Sequence, residues 1–117
     1  MLPEINRVKK KRDFEIIFKK GVSFKSPSLI LKVLKTNLNY SRFGFIVSQK
    51  VSKKAVIRNK VRRRLSKIIR DEFKNIKTGL DIVFISLSGI EKKEFLEIKA
   101  ELINRLKEEK IIIGEKK

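Results

Sequence analysis

The side chains best suited to chemistry in this chain are cations at helical spacing. Lys50 to Arg70 reads KVSKKAVIRNKVRRRLSKIIR, with ten Lys or Arg and no acid. Arg58, Lys60, Arg62, Arg63, Arg64, Lys67 and Arg70 interleave with Ile57, Val61, Leu65, Ile68, Ile69 and Phe73, an apolar series that recurs every three or four residues. That pattern predicts a helix with one face in a core and the other turned to something negative. A guanidinium fork suits phosphate oxygens, and an ammonium adds a compact point charge. Asn59 both donates and accepts, so it can orient a neighbouring arginine or read a ribose 2′-hydroxyl. Lys50, Lys53 and Lys54, clustered just ahead of the helix, fit phosphate contacts as well. The bland alternative is a solvated charged helix, but this stretch lacks the acids that normally support one at i,i+4.

Other chemistries are missing their parts. The chain has no Cys and no His, which removes thiol nucleophiles, disulfides, cysteine zinc sites and the usual general base. No carboxylate pair lies near the basic stretch, so no metal-dependent nuclease site is expected on the protein. No apolar run reaches the length of a membrane span, and no signal-like segment follows MLPEINRVKKKRDF. The expectation is therefore cytoplasmic, with no membrane partner and no small-molecule substrate.

The charge is segregated. Of 31 Lys+Arg and 13 Asp+Glu, residues 16–70 hold sixteen bases and no acid, whereas residues 71–117 hold ten of each. A net charge of +18 repels itself in a compact state and calls for a polyanion. At 117 residues and 41% hydrophobic, the chain is long and apolar enough for a single core. A single domain over 1–117 is expected, with 1–10 and 112–117 as flexible ends.

Several elements must position the cations. KRDFEIIFKK from Lys11 reads as a helix that puts Phe14 and Phe18 on one face, ended by Gly21. The aromatic pair alone reads as core. Asp13 reads as a helix cap or a local partner of Arg12. Val22–Phe24, Leu29–Lys35 and Arg42–Lys50 read as strands, the last two joined as a long hairpin. Ser52 is placed to cap the basic helix, which should run to about Lys77. Leu80–Leu87 reads as a buried strand and Glu91 to Lys110 as an amphipathic helix with Phe95, Ile98, Leu102, Ile103 and Leu106 inward. The order α-β-β-β-α-β-α predicts an α+β fold, a sheet of about four strands packed with helices.

FGFIVSQKVSKKAVIRNKVRRRL, with KKRDFEIIFKKG upstream, resembles the protein component of bacterial ribonuclease P. That family carries a strand, a basic loop and a helix with an Arg-Asn-Arg signature, here Arg58-Asn59-Lys60 followed by Arg62-Arg63. The sequence departs from it in Lys60 for the third signature residue, Gln49 in the loop, Ser52, Leu87-Ser88 and Lys32. The resemblance implies a left-handed crossover between parallel strands, where geometry alone would favour the right-handed form. It also implies a subunit that binds a catalytic RNA and the 5′ leader of precursor tRNA. Catalysis would belong to the RNA with Mg2+ held mainly by RNA, and no active site or cofactor would reside on the protein alone. Arg58, Asn59, Lys60, Arg62, Arg63 and Lys67 would then grip the RNA subunit. Phe14, Phe18, Lys50, Lys53, Lys54 and Arg12 would face the leader. The rival reading is a structural RNA-binding protein, such as a ribosomal protein or RNA chaperone. A DNA-binding helix or a cationic membrane binder fits less well, because the charge spreads over strands, loop and helix and the apolar helix face is needed for the core.

Overall fold

A computed structural model describes residues 2–113. Three helices, α1 (Lys11–Lys20), α2 (Ala55–Asp71) and α3 (Phe95–Glu108), pack on four strands, β1 (Val22–Lys25), β2 (Leu29–Lys35), β3 (Arg42–Ile46) and β4 (Leu80–Ser86). The sheet order is β1-β2-β4-β3. β2 pairs with β1 and with β4 antiparallel, and β3 pairs with β4 parallel. The fold is thus α+β, and α2 forms the crossover between two parallel neighbours.

The expected hairpin between Leu29–Lys35 and Arg42–Lys50 does not form, because β4 lies between them. β4 earns that place by composition. Ile82, Val83 and Phe84 are all fully buried, so both faces of the strand are covered, as only a central strand allows. β3 is also shorter than expected and ends at Ile46.

The two sheet faces differ. Phe43, Leu29, Leu31, Ile82 and Phe84 face the main core, closed by Val61, Leu65, Ile68 and Ile69 of α2 and by Ile98, Leu102 and Leu106 of α3. The opposite face carries a smaller cluster of Val8, Ile17 and Val83, with Phe14, Leu34, Ile46 and Ile85 against it, covered by α1. α2 stops at Asp71 rather than near Lys77, and a 3-10 turn follows over Phe73–Asn75. Residues 1–10 and 112–117, expected as flexible ends, include the buried Leu2, Val8 and Ile112. Ile112 bridges Ile76 in antiparallel fashion; Met1 and residues 114–117 lie outside the described residues.

Gly21 ends α1 for a reason other than left-handed backbone. Its φ is −74°, and its amide donates to the Ile17 carbonyl at 2.8 Å. A Cβ there would come within 2.5 Å of the Ile17 oxygen and 3.2 Å of the Val33 oxygen, so the site requires the missing side chain.

Carboxylates on two helices tie them to the sheet. Arg42 on β3 donates from Nε and Nη2 to both carboxylate oxygens of Asp81 on β4, at 2.9 and 2.6 Å, and from Nη1 to Asp13 of α1 at 3.3 Å. Asp13 therefore pairs across to the sheet, and neither caps its helix nor pairs with Arg12. The bidentate bond to Asp81 holds the Arg42 guanidinium above its ordinary pKa against the opposing effect of burial. On α3, the Glu101 carboxylate accepts the Ser28 amide at 2.7 Å. Burial pushes Glu101 up, but the Ser28 bond and nearby Lys93 prevail, and its pKa lies below the ordinary 4.5.

Arg42→Ala strands the Asp81 carboxylate, which is only 3% exposed, without a counter-charge. The expected cost is about 3 kcal/mol in denaturant unfolding. For Glu101 the folded pKa is depressed, so its contribution is complete above the unfolded value and vanishes as pH falls through the folded one. Glu101→Gln should cost about 1–2 kcal/mol at neutral pH. Unfolding curves of the two proteins should converge well below pH 4.5.

Candidate nucleic-acid interface

The two helices that flank the sheet present two different surfaces. On the α1 face, side chains from all four strands fall into register rows. One row is Leu34, Asp81 and Arg42; the next is Ser23, Lys32, Val83 and Gly44; the third is Lys25, Ile30, Ile85 and Ile46. The anchoring contacts of α1 fall on the first two rows, through Asp13 to Arg42 and through Phe14 over Gly44. Ile30, Ile85 and Ile46 of the third row stay half-buried, with exposed Lys25 beside them. An apolar trough with a cationic edge results.

Phe14 and Phe18 border this trough. Their ring centroids are 6.4 Å apart and tilted by 38°. Phe14 is half-buried, while Phe18 is 38% exposed and so has a face available to a base. Gly44 makes the cradle: a Cβ there would approach the Phe14 ring to 2.7 Å. Lys32 is half-buried and partly engaged. Its Nζ donates to the Phe18 carbonyl at 3.3 Å, at the end of α1 where the helix dipole favours a cation. Arg12 is exposed on the first turn of α1.

Lys50, Lys53 and Lys54 are all exposed on the loop between β3 and α2. Two serines shape that loop: Ser48 Oγ accepts the Lys50 amide and Ser52 Oγ accepts the Lys54 amide, each at 3.2 Å. Ser52 is thus a turn former. It does not cap α2, whose N-cap is Lys54 and has no side-chain cap bond.

The α2 cations divide into two groups. Arg58 Nη1 donates to the carbonyls of Ser52 and Lys53, both at 3.0 Å. Arg62 donates to Asn59 Oδ1 and to the Val47 carbonyl, the latter at 3.4 Å. These two arginines brace the loop from the helix, and Asn59 orients an arginine as its chemistry allowed. Arg64 is likewise engaged, donating to the Lys93 carbonyl at 3.2 Å. Lys67 pairs with Asp71 at 3.2 Å, so the basic face does find one i,i+4 acid, one residue past the acid-free stretch. Lys60, Arg63 and Arg70 are exposed and have no carboxylate partner among the described residues.

The structure therefore brings together Phe14, Phe18 and the third-row isoleucines on one face. Arg58, Asn59, Lys60, Arg62, Arg63 and Lys67 share α2 on the other side of the sheet. Sequence reasoning missed Gly44 and Arg42. Gly44 carried a signal, a glycine between two phenylalanines in a strand, which marks close approach of a neighbour. Among the described residues no group of three or more Asp, Glu, His or Cys could hold a metal ion. None of their helices is long and apolar enough to cross a membrane.

Arg58→Lys keeps the charge but replaces a rigid fork by a single flexible ammonium. Amide hydrogen exchange over residues 48–54 should accelerate about tenfold while exchange in α2 beyond Val61 stays unchanged. Unchanged loop exchange would contradict the bracing role.

A family model described as Ribonuclease P matches residues 2–110. The ribonuclease P protein component of Pseudanabaena sp. is 37% identical over 115 residues, covering 97% of this chain and 99% of its own. That of Alkaliphilus metalliredigens is 36% identical, covering 92% and 96%. Among solved structures, the Staphylococcus aureus RNase P protein superposes with TM-score 0.84 at 29% identity, covering 92% of this chain and 97% of its own. The Thermotoga maritima protein gives TM-score 0.80 at 33% identity, covering 87% and 96%.

Proposed function

The chain belongs to the ribonuclease P protein component family, and on that premise we propose that it binds a catalytic RNA subunit and the 5′ leader of precursor tRNA, promoting endonucleolytic removal of that leader. The observation that carries this reading is the separation of two unlike surfaces by one sheet. Lys60, Arg63 and Arg70, exposed and without a carboxylate partner among the described residues, form a cationic helix face, and Phe18 with the half-buried isoleucines forms a trough on the other side. Phosphates of a folded RNA suit the first, since neutralising them releases counterions. Unstacked bases of a single strand suit the second.

Each surface has a distinct task. Lys60 and Arg63 contact the RNA subunit, with Lys67 and Asn59 beside them. Arg58 and Arg62 hold the loop in place, so that Lys50, Lys53 and Lys54 meet backbone phosphates of the leader where Phe14 and Phe18 meet its bases. Arg12 adds charge at the far side of α1. Hydrolysis belongs to the RNA subunit, with Mg2+ held mainly by RNA, and the protein supplies binding and charge. The place of work is the cytoplasm, where precursor tRNA is processed. A structural RNA-binding protein would use the same cations but would need no aromatic trough, and it would not stimulate leader removal.

Reconstitution with the RNA subunit at near-physiological Mg2+ tests the reading. The protein alone should not cleave precursor tRNA, and cleavage without RNA would sink the subunit assignment. Lys60→Ala with Arg63→Ala should weaken binding to the RNA subunit and reduce the log–log salt slope by about 0.7–0.9 per lost phosphate contact. Phe18→Ala should leave that affinity intact and reduce discrimination for leader-bearing substrate by about tenfold. Equal effects of both changes on both ligands would dissolve the two-surface assignment.

A further inference from the structure

Between the amino-terminal segment, β3 and α2 lies a groove of about 370 Å³ whose apolar floor neither surface above accounts for. Its floor is apolar. Leu2 is buried and Phe45 half-buried, and Phe45 stacks on Phe84 beneath it at 5.3 Å between centroids. Its wall is the α2 series Arg62, Arg63, Ser66, Lys67 and Arg70, with Arg7 opposite. Arg62 and Lys67 bond Asn59 and Asp71, while Arg63 and Arg70 have no acid beside them among the described residues. A solvated basic helix has no need of a concave apolar floor beneath its arginines. The volume suits a small ligand rather than a water or two. An aromatic surface under cations is the combination that holds a base together with its phosphates.

We infer that this groove receives one unstacked nucleotide of the RNA subunit, with the base on Leu2 and Phe45 and the flanking phosphates on Arg63 and Arg70. Ser66 supplies the hydroxyl that meets the base edge. The inference rests on the proposed binding of an RNA subunit and adds to it a base-specific contact beside the phosphate contacts.

The test uses the full chain, with the Leu2 methyl and Phe45 ring signals observed by NMR. The probes are tetra-adenylate and an abasic ribose-phosphate strand with the same number of phosphates. Tetra-adenylate should shift both signals, and its affinity read at those signals should exceed that of the abasic strand about tenfold. Ser66→Leu fills the groove without changing charge and should erase the difference, and it should weaken binding to the full RNA subunit by a similar factor. Ser66→Ala removes the hydroxyl without filling the groove and should lower the difference only in part, by about threefold. Equal affinity of the two probes at Leu2 and Phe45, or shifts confined to Phe14 and Phe18, would overturn the groove assignment. If the RNA subunit still binds in that event, the subunit reading stands without it. A chain that binds neither the probes nor the RNA subunit would fail at that earlier reading and take the groove with it.

Discussion

Arg42 joins three elements that chain order keeps apart. Its fork closes on Asp81 across the parallel β3–β4 pair, and its remaining nitrogen reaches Asp13 on α1. Asp81 is buried, so it tolerates its charge only because Arg42 offers two donors at good distance. The same bond sets where α1 rests on the sheet. With α1 fixed at Asp13, Phe14 comes over Gly44 and Ile17 over Val83. Phe18, one turn beyond Phe14, keeps its ring partly outside. The trough thus lies beside a helix held by an ion pair at one end and by buried Ile17 in its middle.

The charge of the chain looks different once its contacts are known. The acid-free stretch of residues 16–70 suggests a broad field of free cations, but several are engaged. Arg42 is internal; Arg58 and Arg62 bond backbone carbonyls; Lys32 ends α1. Structure and binding divide the basic residues between them. Arginine nitrogens that bond backbone carbonyls are occupied there, whereas Lys60, Arg63 and Arg70 stay exposed on the helix.

Much of this was legible in the sequence because the signals are local. The α1 range and the β2 range follow from apolar spacing and a flanking glycine, and the α2 stripe of Val61, Leu65, Ile68 and Ile69 follows from helical period. The start of α3 was less legible: periodicity places it at Glu91, but a 3-10 turn holds Ile90–Lys92, and the capping box of Glu94 and Glu97 starts the helix at Phe95. What escaped was non-local. Two strand-like runs separated by a polar loop read as a hairpin, and nothing between Leu29 and Ile46 announces that residues 80–86 will insert there. The clue lay far away, in the unbroken apolar run of β4, which needs cover on both faces. Likewise the roles of Arg58 and Asp13 depend on partners that spacing alone does not name.

The placement of β4 also governs how the chain must come together. β1 and β2 can pair as soon as both exist, but β3 has no strand beside it until Leu80–Ser86 has been made and threaded between β2 and β3. Its earlier contact is with the amino-terminal segment, through Val8 and Arg7. Such non-local pairing slows folding, since loop closure must precede the contacts that reward it. The whole basic segment therefore emerges during synthesis before the sheet that separates α1 from α2 can close. Until the central strand is in place, that segment is a polycation with no ordered faces, and completion of β4 gives it sides.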